Sequence, residues 1–201
     1  MIVASPSTTT TQEPQLYRIS LQKYFEMAET GVFDSDSQVE LLEGLLVSKM
    51  AQSPLHRFVL SITRRSLESL LSSGFHLEMQ IPVVIGESCP EPDIAIIRGT
   101  PEDYAARHPD ASEILLAIEI SQTSLSSDRT WKKKIYAAGG IAIYWIINLE
   151  DRQIEVYSQP DPAAEDYHQH AIYSLQDKTP VIINQQEVGV LEVSQLFPTQ
   201  N

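Results

Sequence analysis

The sequence predicts a mixed α/β (α+β) fold: a mixed central sheet flanked by helices, with additional strands toward the C-terminus. Three observations carry this. Residues 94–97 and 114–120 are short, Ile-rich apolar runs of the kind that fill central strands. Residues 54–73 instead place Leu55, Val59, Ile62, Leu67, Leu70 and Leu71 in a helical stripe. A further helical segment, stopped by Gly139 and Gly140, lies between the run containing Glu119 and the apolar run 143–148. That order is the pattern of a parallel crossover, which is expected to be right-handed.

Taken in order, residues 20–30 read as a short helix with Leu21, Tyr24, Phe25 and Ala28 on one face, ended near Gly31. Residues 39–50 place apolar positions around the turn-like Glu43 and Gly44, which predicts a hairpin or a strand with a tight bend. The helix over 54–73 follows, with proline at its start and Gly74 beyond its end. Residues 75–85 alternate apolar side chains as a half-buried strand, and 101–108 read as a short surface helix. Ser126 or Ser127 can cap the helix that runs to about Ala138. Residues 153–158, 168–175, 181–184 and 188–193 are strand-like and punctuated by turns.

A chain of 201 residues fits one domain, taken as 16–197, with a polar, disordered tail over 1–15 and a short C-terminal tail over 198–201. Cys89 is the only cysteine, which excludes an internal disulfide and any Cys-rich metal site and suits a reducing cytoplasm. The start has neither a basic nor an apolar region of the signal-peptide type, and no apolar stretch approaches the roughly 20 residues a membrane helix needs. A cytoplasmic protein with no membrane association is expected. The net charge of -13 argues against non-specific nucleic-acid binding, which depends on Lys and Arg contacts to phosphate. Locally, however, Arg57, Arg64 and Arg65 form one basic group, and Arg129 with Lys132, Lys133 and Lys134 another. Each also reads as a solvated helix face.

Three charged residues stand in settings that normally reject them. Asp93 heads the run 94–97, Glu119 interrupts 114–120, and Lys132 opens the basic stretch on the following helix. Carboxylates are rarely buried alone, because removing an ion from water costs several kcal/mol. Two acids on two core strands therefore ask for a shared cation, from a lysine, a divalent metal, or both. The two-residue period of a strand puts Glu119 on the face of Ala117 and Ser121, opposite Leu116, Ile118 and Ile120. On the helix, Asp128, Lys132 and Tyr136 are spaced four apart and share a side. The same trio also reads as a buried Lys132–Glu119 ion pair with Asp93 capping a strand start. Glu40 is either a third acid or a solvated strand neighbour. His56 is either a base near phosphate or a packing residue, and Asp128 is placed to hold Lys132 as an i,i+4 pair. His168 and His170 share a strand face but lack a third metal ligand. Trp131, Tyr136, Tyr144 and Trp145 read as core.

Pro92-Asp93, Ile118-Glu119-Ile120-Ser121, Asp128-Arg129 with Lys132 and Tyr136, and Gly140-Ile141 with Tyr144 to Asn148 together resemble the Uma-two family of restriction endonuclease-like proteins. That family lies in the PD-(D/E)xK nuclease superfamily. The resemblance also takes in Glu40 to Gly44 and His56, and covers residues 16–197. It implies a four-stranded mixed core sheet, metal held by Asp93 as the motif aspartate and Glu119 as the motif glutamate, and Lys132 as the motif lysine moved onto the helix. Ser121 stands where the superfamily has its lysine. Ala142-Ile143 stands where the family usually has Pro-Glu.

What the resemblance implies is a Mg²⁺-dependent endonuclease, with Mn²⁺ as a substitute, hydrolysing DNA phosphodiester bonds as a homodimer. Asp93, Glu119 and Lys132 would be its catalytic residues, with Glu40, His56 and Asp128 as additional candidates. The acidic charge and the Ala142-Ile143 departure suit the alternative of a silent nuclease-fold module that binds DNA or a protein.

Overall fold

The computed structural model describes residues 16–33 and 39–199. The tail expected over 1–15 lies outside the described residues.

Helix α1 (Leu21–Glu29) starts where the Ser20 hydroxyl accepts the Lys23 N–H. It buries Tyr24 against Leu41 and Cys89. Strands β1 (Val39–Leu42) and β2 (Leu45–Ser48) form the expected hairpin. Its two turn residues, Glu43 and Gly44, have φ values of 47° and 79°, the backbone that matches the twist of a two-residue hairpin. Gly44 is doubly required, since a Cβ there would lie 2.8 Å from Arg18 Cβ.

Helix α2 (Pro54–Glu68) is capped by the Ser53 hydroxyl, which accepts the His56 N–H at 3.1 Å. It ends before the expected residue 73, but Leu70 and Leu71 still pack on the core from the turn that follows. Strand β3 (Phe75–Glu78) covers only the first part of the expected strand over 75–85. Pro82, Pro90 and Pro92 deny this stretch the donors a regular ladder needs, and residues 79–93 are held by isolated bridges such as Leu41 to Cys89. The expected surface helix over 101–108 is a single 3₁₀ turn, Pro101–Tyr104.

Strands β4 (Ile94–Arg98), β5 (Ile114–Ser121), β6 (Ile143–Asn148), β7 (Gln153–Asp161) and β8 (Asp166–Tyr173) complete a six-stranded sheet of order β3-β4-β5-β6-β7-β8. It is larger than the four-stranded core the family resemblance implied. Only β5 and β6 run parallel, joined by the helical crossover read from the sequence. Strands β9 (Lys178–Ile183) and β10 (Gln186–Glu192) form a separate antiparallel hairpin.

The sheet separates two cores. Leu116, Ile118 and Ile120 of β5 face α2 and the β9–β10 hairpin, with Val59, Leu67, Val181 and Leu191 among their neighbours. Ala117 faces the other way, with Tyr144 and Ile146 of β6, toward Leu42, Ile135 and Tyr136. Strand parity thus places Glu119 beneath the hairpin and the crossover helix. No helix among the described residues is long and apolar enough to cross a membrane.

Candidate active site

The crossover is one helical segment in three parts: α3 (Leu125–Ser127), a π turn over Asp128–Lys132, and α4 (Lys133–Ala138). Its N-cap position is Ser124, two to three residues earlier than the sequence suggested. In a π turn the N–H bonds back five residues, as Lys133 N–H does to the Asp128 carbonyl. Asp128, Lys132 and Tyr136 are all buried on the side facing the sheet.

Lys132 is the centre of the arrangement. Its Nζ lies 2.9 Å from Glu119 Oε1 on β5 and 3.0 Å from Glu40 Oε2 on β1. Glu40 also accepts the backbone N–H of Glu91. The hairpin, the sheet and the crossover helix therefore meet on one ammonium. Glu119 Oε1 receives a second donor, the Tyr136 hydroxyl at 2.7 Å. Asp93, just before β4, turns its Oδ2 toward the Ile120 N–H at 2.8 Å and His56 Nε2 at 3.1 Å. His56 comes from the first turn of α2, and its buried Nδ1 has no hydrogen-bond partner among the described residues.

Asp93, Glu119 and Lys132, with Glu40, His56 and Asp128, line one cleft of about 480 Å³. The segment after β2 and the turn after β5 also line it, tied together by the Ser53 hydroxyl donating to Gln122 Oε1 at 2.9 Å. Asp128 is in the cleft but does not pair with Lys132, contrary to the i,i+4 expectation. The i→i+5 bonding of the π turn takes residues four apart out of alignment, and Asp128 Oδ2 instead accepts the hydroxyls of Ser121 at 2.6 Å and Ser124 at 2.7 Å. Ser121, at the superfamily's lysine position, thus anchors an acid.

Burial is the largest influence on these groups. It pushes the Glu119 carboxyl up, and the nearby Asp128, Asp93 and Glu40 charges add to the effect, so that attraction to Lys132 does not restore the ordinary value. Burial also raises Asp128, against the pull of Lys132 and its two serine donors. For Asp93 burial acts upward too, but the hydrogen bond and charge of His56, the Ile120 N–H and Lys132 outweigh it and leave the carboxyl below its usual range. Burial acts downward on Lys132, but Glu119, Glu40 and Asp128 outweigh it and hold the ammonium above the ordinary lysine value.

Four carboxylates therefore surround one ammonium and one imidazole, leaving the cleft short of positive charge. Among the described residues no three His, Cys, Asp or Glu side chains form a ready metal cage. The donor chemistry nevertheless fits a hard cation. Among the described residues Glu119 Oε2 carries no hydrogen bond, and Asp93 Oδ1 meets only Gln80 Nε2, at 3.4 Å. Two carboxylate oxygens suit Mg²⁺, which keeps several of its waters.

His168 and His170 lie elsewhere, on β8. The first is 3.5 Å from Asp161 and the second stacks on Tyr157 with centroids 4.3 Å apart. Tyr144 and Trp145 are core residues, as expected. Trp131 is only partly buried and donates its indole N–H to Glu43. Tyr136 was legible only as core, although its spacing four after Lys132 already placed it on the side of the acids. The serine donors to Asp128 and the Ile120 N–H to Asp93 had no signal in the sequence.

A family model described as "Uma2: Putative restriction endonuclease" matches residues 21–190. Among solved structures, the chain is similar to the crystal structure of "a putative nuclease belonging to DUF820" from Anabaena variabilis ATCC 29413. The TM-score is 0.69 at 16% identity, over 89% of this chain and 97% of that one. At that identity the likeness concerns the fold. No curated protein matches the chain.

Proposed function

We propose, from the premise that this chain belongs to the Uma2 family of restriction endonuclease-like proteins, that it is a divalent-metal-dependent endonuclease that hydrolyses phosphodiester bonds of DNA. The observation that carries the reading is the convergence of Asp93, Glu119 and Lys132 in one buried cleft with more carboxylates than cations. A structural ion pair would need only one acid for its lysine.

Asp93 and Glu119 would hold Mg²⁺, with Mn²⁺ as a substitute. Bound there, the metal would neutralise phosphate charge and lower the pKa of an attacking water. The chain's own groups then divide the remaining work. Lys132, fixed by Glu40 and Glu119, offers positive charge where negative charge grows on the phosphorus oxygens. Tyr136 and Lys132 load Glu119 Oε1 and leave Oε2 for the metal. His56 and the Ile120 N–H orient Asp93 in the same way. Asp128, gripped by Ser121 and Ser124, sets the negative potential of the cleft wall. A homodimer would give the two sites that cutting both strands of a duplex requires.

The net charge of -13 favours a second reading, a silent nuclease-fold module. Incubation of supercoiled plasmid DNA with the full chain separates the two. Cleavage is expected with Mg²⁺ or Mn²⁺, lost in EDTA and lost in Asp93→Asn and Glu119→Gln. Cleavage that survives either substitution would overturn the assignment, and calorimetry with no metal binding and no cleavage would leave the silent module.

A further inference from the structure

The fourteen Lys and Arg residues are almost all occupied. Nine have a carboxylate oxygen within 3.6 Å. Arg18, Arg98 and Arg152 donate to the Glu43 carbonyl, Asn184 and the Pro198 carbonyl. Arg57 and Arg65 remain. Among the described residues their side chains have neither an ion pair nor a hydrogen bond, and both are exposed on α2. The N-terminal end of that helix supplies Ser53 and His56 to the cleft.

We infer that the exposed face of α2 is the track along which the phosphate backbone of duplex DNA approaches the cleft, an inference that rests on the nuclease reading of that cleft. At 3.6 residues per turn, Arg57, Phe58, Ser61, Arg64 and Arg65 fall within an arc of about 120°. At 1.5 Å per residue, Arg57 and Arg65 stand about 12 Å apart along the helix, comparable with three to four base-pair steps of ~3.4 Å along a duplex axis. The only acid on α2 is Glu68, at its far end, where it pairs with Arg64 at 2.8 Å. Both members of that pair are about half exposed, so the pair is weak and Arg64 can exchange its carboxylate for a phosphate.

The overall charge does not forbid this. At physiological salt, potentials between exposed charges decay over about 8 Å, so a phosphate on α2 responds chiefly to the arginines beside it and little to acids across the molecule. The scarcity of unclaimed cations makes the face specific. Exposed pairs elsewhere, such as Lys23–Glu26 and Lys178–Glu192, are as weak as Arg64–Glu68, but among the described residues only on α2 do two cations without a partner flank such a pair.

The test uses the full chain carrying Glu119→Gln, which blocks cleavage, and a fluorescein-labelled 20-base-pair duplex. Binding is followed by anisotropy between 50 and 200 mM KCl. Each phosphate contact contributes about 0.9 to the slope of log K against log salt, so Arg57→Ala with Arg65→Ala should lower the slope by about 1.8 and weaken binding roughly tenfold or more. Arg57→Lys with Arg65→Lys should keep the slope. Arg98→Ala with Arg152→Ala, an equal charge loss elsewhere, should leave it unchanged. An unchanged slope in the Arg57 and Arg65 variant, or an equal loss in the Arg98 and Arg152 variant, overturns the track. If the wild-type chain still cleaves plasmid in that case, the nuclease reading stands alone. A chain that neither binds the duplex nor cleaves overturns both.

Discussion

The Tyr136 hydroxyl donates to Glu119 Oε1 at 2.7 Å, the same oxygen that accepts the Lys132 ammonium. Two donors on one oxygen fix the carboxylate plane and leave Oε2 without a hydrogen bond. Tyr136 is fully buried, so its O–H has no water to replace this partner.

Tyr136→Phe removes that bond without altering the packing. A hydrogen bond to a charged group contributes about 1.5–3 kcal/mol, and a loss of that size is expected in urea unfolding. The Mg²⁺ concentration giving half-maximal cleavage should rise as well. Tyr144→Phe is the matched control, since its buried hydroxyl donates to the Asp128 carbonyl and not to a carboxylate of the site. Equal shifts in metal dependence for the two variants would show that the Tyr136 hydroxyl has no specific part in holding Glu119 for the metal.

Lys132→Met should destabilise the metal-free protein, by about 3–5 kcal/mol at a pH where Glu119 is ionised, because Glu40 and Glu119 lose their shared cation in a buried setting. Single-turnover cleavage should slow by orders of magnitude while metal binding persists or tightens. Lys133 pairs with Asp166, and Lys134 with Glu43 and Glu165, outside the cleft. Their alanine variants should leave the chemical step intact. Loss of cleavage in either of them, with activity retained in Lys132→Met, would transfer the role to the other lysine.

The stability of the metal-free protein should fall as pH rises. A carboxyl raised in the native state binds its proton more tightly there than in the unfolded chain, so its stabilisation is complete below the ordinary value and is lost as pH climbs through the folded value. For Glu119 that window runs from 4.5 to about 8, and Asp128 acts with the same sign from 3.8 upward. Asp93 has the opposite sign, and its contribution is lost only on acidification below 3.8, outside the window. Urea midpoints should decline between about pH 5 and pH 8, and Glu119→Gln should flatten the decline. A wild-type profile that rises over this range would contradict a raised Glu119.

Asp93→Asn and Asp93→Ala should differ. Asparagine keeps an acceptor for the Ile120 N–H, whereas alanine leaves that buried donor unpaired, a cost of about 1–3 kcal/mol. The ionised Asp93 is held by His56, the Ile120 N–H and Lys132, so Asp93→Asn should unfold below the wild-type midpoint and Asp93→Ala lower still. Indistinguishable midpoints by calorimetry would mean that the Ile120 contact carries no net stability.

Much of this site was readable from local pattern. The two-residue period of β5 assigns Glu119 to the face opposite Ile118, and the four-residue spacing on the crossover helix brings Lys132 and Tyr136 to one side. The hairpin around Glu43-Gly44 and the parallel β5–β6 pairing follow from turn chemistry and from a helix placed between two apolar runs. These features depend only on residues near one another in the chain. The break in the strand after Glu78 was also written in the chain, in Pro82, Pro90 and Pro92, but apolar alternation masked it.

Long-range packing decided the rest. Glu40 could have been a solvated residue beside a strand; the docking of the β1–β2 hairpin over β5 made it the second acid on Lys132. His56 could have been a surface histidine, and the position of α2 against the sheet put its Nε2 on Asp93. The π turn separated Asp128 from Lys132 and gave it to Ser121 and Ser124. The sequence by itself determined that Asp93 and Glu119 stand in apolar surroundings and from which face of their elements Glu119 and Lys132 project, because periodicity is a property of the local backbone. Which oxygen each donor meets was decided only by the tertiary structure, since hydrogen bonds of 2.6–3.1 Å depend on how elements distant in sequence are placed against one another.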